Sequence, residues 1–237
     1  MNDIRITNIT PGFCNVNVLR AGLTSINAAQ VLPHKHLFGY NHYPLASESE
    51  LHDVCDEFGL EWIDLGGDYG GVSSANALIS HVTTEFVFGH DPDCLYPLES
   101  KGYDEAIVKI LDEDKTLAWV SLTPIPLRNG YIANPDGHIE IIAGYRVYFH
   151  HTVDMWSAGG SRTEYLQANP IEGHFKYYGQ VEIPMYERLQ ATGMRYGYLL
   201  DYPEDSFGYL HDIDYMKWKN AHLKGYEGSF GSWLLTK

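Results

Sequence analysis

Strand-like and helix-like patterns alternate through the first half of the chain. Asp3 to Ile9 mixes β-branched apolar residues with polar ones and stops at Pro11-Gly12, which predicts a first strand. Val16 to Ala29 predicts a helix with Leu19, Leu23 and Ile26 on one face. Leu37 to Tyr40 predicts a short second strand ending at Asn41-His42. Ser47 and Glu50 form a capping-box pair, and Leu51, Val54, Cys55 and Phe58 follow at i, i+3, i+4 and i+7. Gly59 stands where a helix ends. Leu60 to Leu65 predicts a third strand, Gly66 to Gly71 a glycine-rich turn, Ser73 to Val82 a helix and Glu85 to Phe88 a fourth strand. Such alternation implies right-handed crossovers and a mainly parallel sheet.

The second half is less regular. Tyr103 to Glu113 predicts a helix and Leu117 to Leu122 a strand. Ile139 to Ala143 and Val147 to His150 predict a hairpin. Gln180 to Thr192 predicts a helix, with Pro184 tolerated in its first turn and Gly193 just after it. Tyr196 to Leu200 predicts a last strand, and Met216 to His222 a short helix. No repeat, linker or low-complexity stretch divides the chain, so one composite domain is expected.

Composition narrows the classes. Of 237 residues, 44% are hydrophobic and 20% charged, too apolar for a disordered acidic chain. The formal charge of −15 disfavours broad binding to nucleic acid, which needs a cationic face. It leaves open a phosphate-bearing ligand whose charge a metal ion offsets. Cys14, Cys55 and Cys94 show no paired or CxxC spacing, so neither a disulfide framework nor a zinc ribbon is expected. No apolar run approaches the roughly 20 residues of a membrane span. Met1 to Ile6 carries charges and no secretory apolar region, so a cytoplasmic setting is expected.

The central constellation is His90-Asp91-Pro92-Asp93, directly after the fourth strand. Two carboxylates at a strand's C-terminal end face the crevice where open α/β sheets bind ligands. They either hold a hard divalent cation, Mn²⁺ or Mg²⁺, with a diphosphate, or simply start a solvated turn. His90 beside them either contacts phosphate or supports the carboxylates from behind. His34-x-His36 and His150-His151 lack a carboxylate or third ligand at helical spacing and read as structural.

The run from Trp62 through Gly66-Gly67-Asp68-Tyr69-Gly70-Gly71 to Asn76, and then Glu85 to Asp93, resembles the nucleotide-sugar half of the family 2 glycosyltransferases. The compactness is similar to that of small bacterial or phage-encoded members, whose setting would be the host cytoplasm. The resemblance implies a GT-A fold: α/β, with a mixed, mainly parallel central sheet flanked by helices. It implies a single domain over 1–237, with a donor half at about 1–100 and an acceptor and catalytic half at about 101–237. Asp93 then matches the metal ligand, and Asp91 the acid that approaches the ribose or the metal's water shell. Asn76 matches the helix Asn, Asp68 and the Gly70-Gly71 turn lie near the nucleotide, and Thr7 and Pro11 fit the first strand and its bend. Asn41 stands where the family has a base-reading Asp.

Downstream, Tyr178-Gly179-Gln180-Val181-Glu182-Ile183 with Arg188-Leu189 and Gly193 resembles the family's catalytic segment. It places Glu182 at the catalytic Asp, with Val181 replacing the preceding acid. Glu182 would take the proton from an acceptor hydroxyl, or else merely favour a helix's first turn. The resemblance implies His211 as a third metal ligand, against a surface histidine. Trp156, Gly160 and Arg162 are candidate acceptor contacts: Trp156 as a flat face or core residue, Gly160 for close backbone approach, Arg162 for phosphate or for Glu164.

These matches imply a nucleotide-diphosphate sugar donor, inversion and an acceptor that is a glycan, a protein or a modified nucleobase. A nucleotidyltransferase is the enzymatic rival, yet Thr10-Pro11-Gly12-Phe13 supplies no basic glycine loop. A non-catalytic nucleotide-sugar-binding module is the other, kept open by Val181 and Asn41.

Overall fold

The computed structural model describes residues 4–12, 16–42, 46–66, 71–124, 137–149, 158–171 and 182–205. In chain order the elements are β1 (Ile6–Gly12), α1 (Val16–Ala29), β2 (His34–Tyr40), α2 (Glu48–Phe58), β3 (Glu61–Asp64), α3 (Gly71–His81) and β4 (Phe86–Gly89). A 3-10 turn (Leu98–Ser100), α4 (Tyr103–Glu113), β5 (Leu117–Pro124), β6 (His138–Ile142) and β7 (Tyr145–Phe149) follow. Then come β8 (Gly159–Arg162), α5 (Thr163–Ala168), α6 (Glu182–Thr192) and β9 (Arg195–Glu204). The helix predicted over Met216 to His222 lies outside the described residues.

Local chemistry sets the element ends. Ser47 Oγ accepts from the Glu50 amide while the Glu50 carboxylate accepts from the Ser47 amide, so the predicted capping box of α2 is formed. It satisfies two amides that a helix start would leave open. Gly59 ends the helix at φ 67°, a left-handed conformation that favours glycine.

The nine strands form one sheet in the order β3-β2-β1-β4-β8-β5-β9-β7-β6. β3, β2, β1 and β4 are mutually parallel. β8 runs antiparallel to β4 and β5, β5 and β9 are parallel, and the β6-β7 hairpin adds antiparallel to β9. The sheet is therefore mixed, with its parallel character concentrated in the first four strands.

The helices divide between the two faces. α1, α2 and α4 pack with Phe38, Phe86, Phe88 and Val120 on one side. α3, α5 and α6 pack with Ile9, Leu37, Val87 and Trp119 on the other. The alternation of Phe86, Val87 and Phe88 between faces is the strand period of two. Each such buried side chain contributes roughly 1.5–3 kcal/mol.

The chain leaves β1 towards β2 on one side and comes back through α3 to β4 on the other. The order thus reverses between β1 and β4. The C-terminal ends of these two strands define the crevice where open α/β sheets take ligands. No helix among the described residues is long and apolar enough to cross a membrane.

Candidate active site

His90 prolongs the β1–β4 ladder by one bond, its amide donating to Ile9 O at 3.0 Å. The chain then turns sharply: the Cys94 amide donates to Asp91 O at 3.1 Å. Asp at the first position and Pro at the second are the residues such a turn favours. The turn brings the carboxylates of Asp91 and Asp93 and the thiol of Cys94 within 4.8 Å of one another. Asp93 and Cys94 are buried and Asp91 is half-buried. Two converging carboxylate oxygens suit a hard divalent cation such as Mn²⁺ or Mg²⁺.

Neighbouring elements hold this turn in place. Gly22 of α1 sits directly beneath it, where a Cβ would lie 2.7 Å from Pro92 O. The end of β9 zips onto the segment that follows: Leu95 and Asp205 exchange backbone hydrogen bonds, and Ser100 Oγ donates to Pro203 O. Glu204, fully buried, accepts from the Cys94 thiol. Burial, and then the carboxylates of Glu204, Asp91 and Asp93, push the Cys94 pKa well up, so the thiol keeps its proton. Cys94, Glu204 and Gly22 were not singled out in the sequence. The mid-helix glycine was a usable signal; nothing local marks Glu204, which sits far along the chain.

Asn41 lies at the C-terminal end of β2, two strands from β4 on the same sheet edge. It is buried, its Nδ2 donates to Ser74 Oγ of α3, and its Oδ1 has no hydrogen-bond partner among the described residues. His42 follows at φ 53°, with Nε2 3.3 Å from Asp64 Oδ1 and its ring 4.5 Å from that of Tyr40.

Several expected site residues have other partners. Thr7 is near the N-terminal end of β1, paired with Val87 and bonded through Oγ1 to Thr84 Oγ1 at 2.7 Å. It faces no crevice at the strands' C-terminal ends. Asn76 uses its whole amide on one residue: Nδ2 donates to Ile171 O at 2.7 Å and Oδ1 accepts from Ile171 N at 2.9 Å. Arg162 is buried and donates to the carbonyls of Leu111, Lys115 and Leu117, closing the end of α4 against β5. It binds neither phosphate nor Glu164, because a guanidinium's flat fork is filled by these carbonyls. Gly160 does permit close approach, but to the protein itself: a Cβ there would lie 2.5 Å from the Phe88 ring. His90 is fully buried, with Nδ1 bonded to the Tyr96 hydroxyl, so it does not reach a donor phosphate. Burial, then the neighbouring His36 and His34, hold its pKa well down, and the ring is neutral.

His34 bonds Leu32 O and His36 bonds Thr10 Oγ1, in keeping with their structural reading. Glu182 is the first residue of α6, but its side chain lies outside the described residues. Asp68, Gly70, Trp156, His211 and the His150-His151 pair also lie outside them.

The fold has solved counterparts. The mannosyltransferase PcManGT from Pyrobaculum calidifontis, in complex with GDP-Man and Mn²⁺, matches with a TM-score of 0.62 over 93% of this chain at 16% identity. GalNAc-T7 with UDP, GalNAc and Mn²⁺ matches at 0.60 over 85% of this chain and 7% identity. The TarS 1–349 structure from S. aureus with UDP-GlcNAc matches at 0.55 over 84% of this chain and 15% identity. The fold is of the GT-A type. This chain spans 61%, 43% and 58% of those three structures, less than two thirds of each. No protein-family model matches the chain, and no curated protein sequence does.

Proposed function

We propose that the chain is a glycosyltransferase that moves a sugar from a nucleotide-diphosphate donor to an acceptor hydroxyl, with inversion and with a divalent metal ion. The observation that carries this reading is the convergence of Asp91 and Asp93 on one turn, at the point where strand order reverses between β1 and β4. The GT-A fold adds weight, since PcManGT and GalNAc-T7 are described with Mn²⁺ and nucleotide or nucleotide-sugar ligands.

In this reading Asp93 and Asp91 hold Mn²⁺ or Mg²⁺, with His211 as the third candidate ligand. A bound ion supplies positive charge that offsets the diphosphate leaving group. Asn41 contributes its open acceptor to the donor at the end of β2, and Asp68 and Gly70 flank the nucleotide. Glu182 takes the proton of the acceptor hydroxyl as its oxygen bonds to the anomeric carbon. The bond from that carbon to the diphosphate oxygen breaks, and its electron pair leaves with the diphosphate. Attack from the face opposite the nucleotide inverts the centre. Trp156 is a stacking surface for the acceptor, whose class is glycan, protein or modified nucleobase.

The test is a thermal-shift screen of nucleotide diphosphates and nucleotide sugars with and without Mn²⁺. Stabilisation by one base series, dependent on Mn²⁺, is the expected result. Slow release of free sugar from the stabilising donor separates a transferase from a binding module. No shift with any nucleotide overturns the reading.

A further inference from the structure

We propose that His90 and Tyr96 are positioning residues for the Asp91–Asp93 turn, joining its two ends through a side-chain bond so that the carboxylates converge before a cation arrives. The proposal rests on the metal-binding reading of those carboxylates. His90 ends the β4 ladder and turns its ring inward, away from solvent. Its Nδ1 meets the Tyr96 hydroxyl, with the rings edge to face at 5.4 Å. Tyr96 is fixed in turn: its ring stacks on Tyr103 at 5.1 Å, and its amide donates to Ser25 Oγ of α1 at 3.1 Å. Ser25 Oγ donates to Gly22 O, the residue that lies under Pro92. Asp91 to Leu95 therefore span two anchored points.

Physical chemistry gives the clamp a purpose. Two carboxylates held within 4.8 Å repel each other until a cation arrives. A loosely tethered turn would relax that repulsion by spreading, and binding would then have to reconverge it. A turn closed at both ends has already lost that freedom, which strengthens binding. The choice of histidine is itself costly. His90 Nε2 is buried with no hydrogen-bond partner among the described residues, a situation that costs about 1–3 kcal/mol. An apolar side chain would fill the space without that cost. What histidine adds is the bond from Nδ1.

The test measures Mn²⁺ affinity of the whole chain without donor, by the loss of the free-ion electron paramagnetic resonance signal, beside a thermal melt. Asp93→Ala serves as the control and should bind no Mn²⁺ at the site. Tyr96→Phe and His90→Gln should weaken Mn²⁺ binding about tenfold, whereas His90→Asn, whose amide lies near the Nδ1 position, should stay within about threefold of the parent. A loss of packing alone would not distinguish the two amides. Unchanged affinity in a cooperatively melting Tyr96→Phe overturns the clamp and leaves the acid-pair reading standing. If Tyr96→Phe does not fold, equal affinities of His90→Asn and His90→Gln overturn it. If the parent binds no Mn²⁺, or Asp93→Ala binds as tightly as the parent, the acid-pair reading fails and the clamp with it.

Discussion

Leu95 and Asp205 exchange two backbone hydrogen bonds, 3.0 Å from Leu95 N to Asp205 O and 2.8 Å in the reverse direction. They fasten the segment after Asp93 to the end of β9. β9 in turn follows α6, which begins at Glu182. The acid pair at the β1–β4 reversal and the candidate base thus belong to chain segments that meet at a direct joint. A hydroxyl-to-carboxyl contact nearby, Ser100 to the Pro203 carbonyl, strengthens that joint at the level of the backbone.

Asp93→Ala should remove Mn²⁺-dependent stabilisation by nucleotide diphosphates and lower transfer at least about 100-fold, as loss of a direct ligand does more than loss of an outer-shell partner. The melt without ligand should move little, because a half-open turn position with a neighbouring like charge contributes little to folding. Near-normal transfer by this variant in defined Mn²⁺ would remove the site from the mechanism.

Glu182→Gln keeps the shape of the side chain and deletes the base. Donor-induced thermal shift should persist while transfer falls by about 10²–10⁴-fold, the usual contribution of a positioned general base. Release of free sugar to water should fall less than transfer to an acceptor, since water is also abundant at an unassisted site. An unchanged transfer rate would show that α6 starts with a glutamate for helix reasons alone.

Arg162→Ala should act on stability and not on donor binding. Arg162 donates at 2.6, 2.9 and 2.7 Å to the carbonyls of Leu111, Lys115 and Leu117, and removing it strands buried acceptors. Hydrogen bonds to charged groups contribute about 1.5–3 kcal/mol each, with partial compensation by entering water, so a loss of about 2–4 kcal/mol in urea unfolding is expected. Asn76→Ala, which frees the Ile171 backbone, should cost about 1–3 kcal/mol on the same ground. A variant of either kind that folds normally but loses nucleotide-dependent stabilisation would return that residue to the donor site.

The elements that the pattern predicted best are those whose local chemistry is self-contained. α1 and α4 have the boundaries read from their apolar faces, and α2 carries its cap and its terminating glycine within the helix neighbourhood. β8 escaped because Gly159-Gly160-Ser161-Arg162 has no alternation, and its identity as a strand comes from Phe88 and Val120 on either side. The Asp-x-Asp turn was legible because its two acids are adjacent in sequence and follow a strand. Glu204 was not, because what makes it notable is a contact with Cys94 across the fold. Asn76 and Arg162 illustrate the converse. Each is a polar residue at a suggestive position whose hydrogen-bonding capacity is spent on distant backbone groups.

His36 gives a pH signature that separates the folded core from the surface charges. It is buried beneath the β1–β2 edge, its Nε2 bonds Thr10 Oγ1 at 2.8 Å, and its ring lies 6.0 Å from that of His90. Burial, with a smaller effect of His34, lowers its pKa to about 3. In the unfolded chain the same imidazole takes its proton near pH 6.5. Between those values the unfolded state holds the extra proton, so stability rises with pH across the window and is lost as pH falls through it. From about pH 7.5 to about pH 5 this single group should cost roughly 2 kcal/mol. His90, buried beside it, pulls in the same direction. Carboxylates whose pKa values are lowered, such as Glu140 bonded to Arg195 and Asp114 bonded to Thr116 and Arg195, lose their contribution only at more acidic pH. Urea unfolding at the two pH values, with the m-value held as a check on two-state behaviour, measures the slope. His36→Gln should be less stable than the parent at neutral pH and should show about 2 kcal/mol less pH dependence over that interval. An identical slope in the variant would mean that His36 gains its proton while the fold is intact.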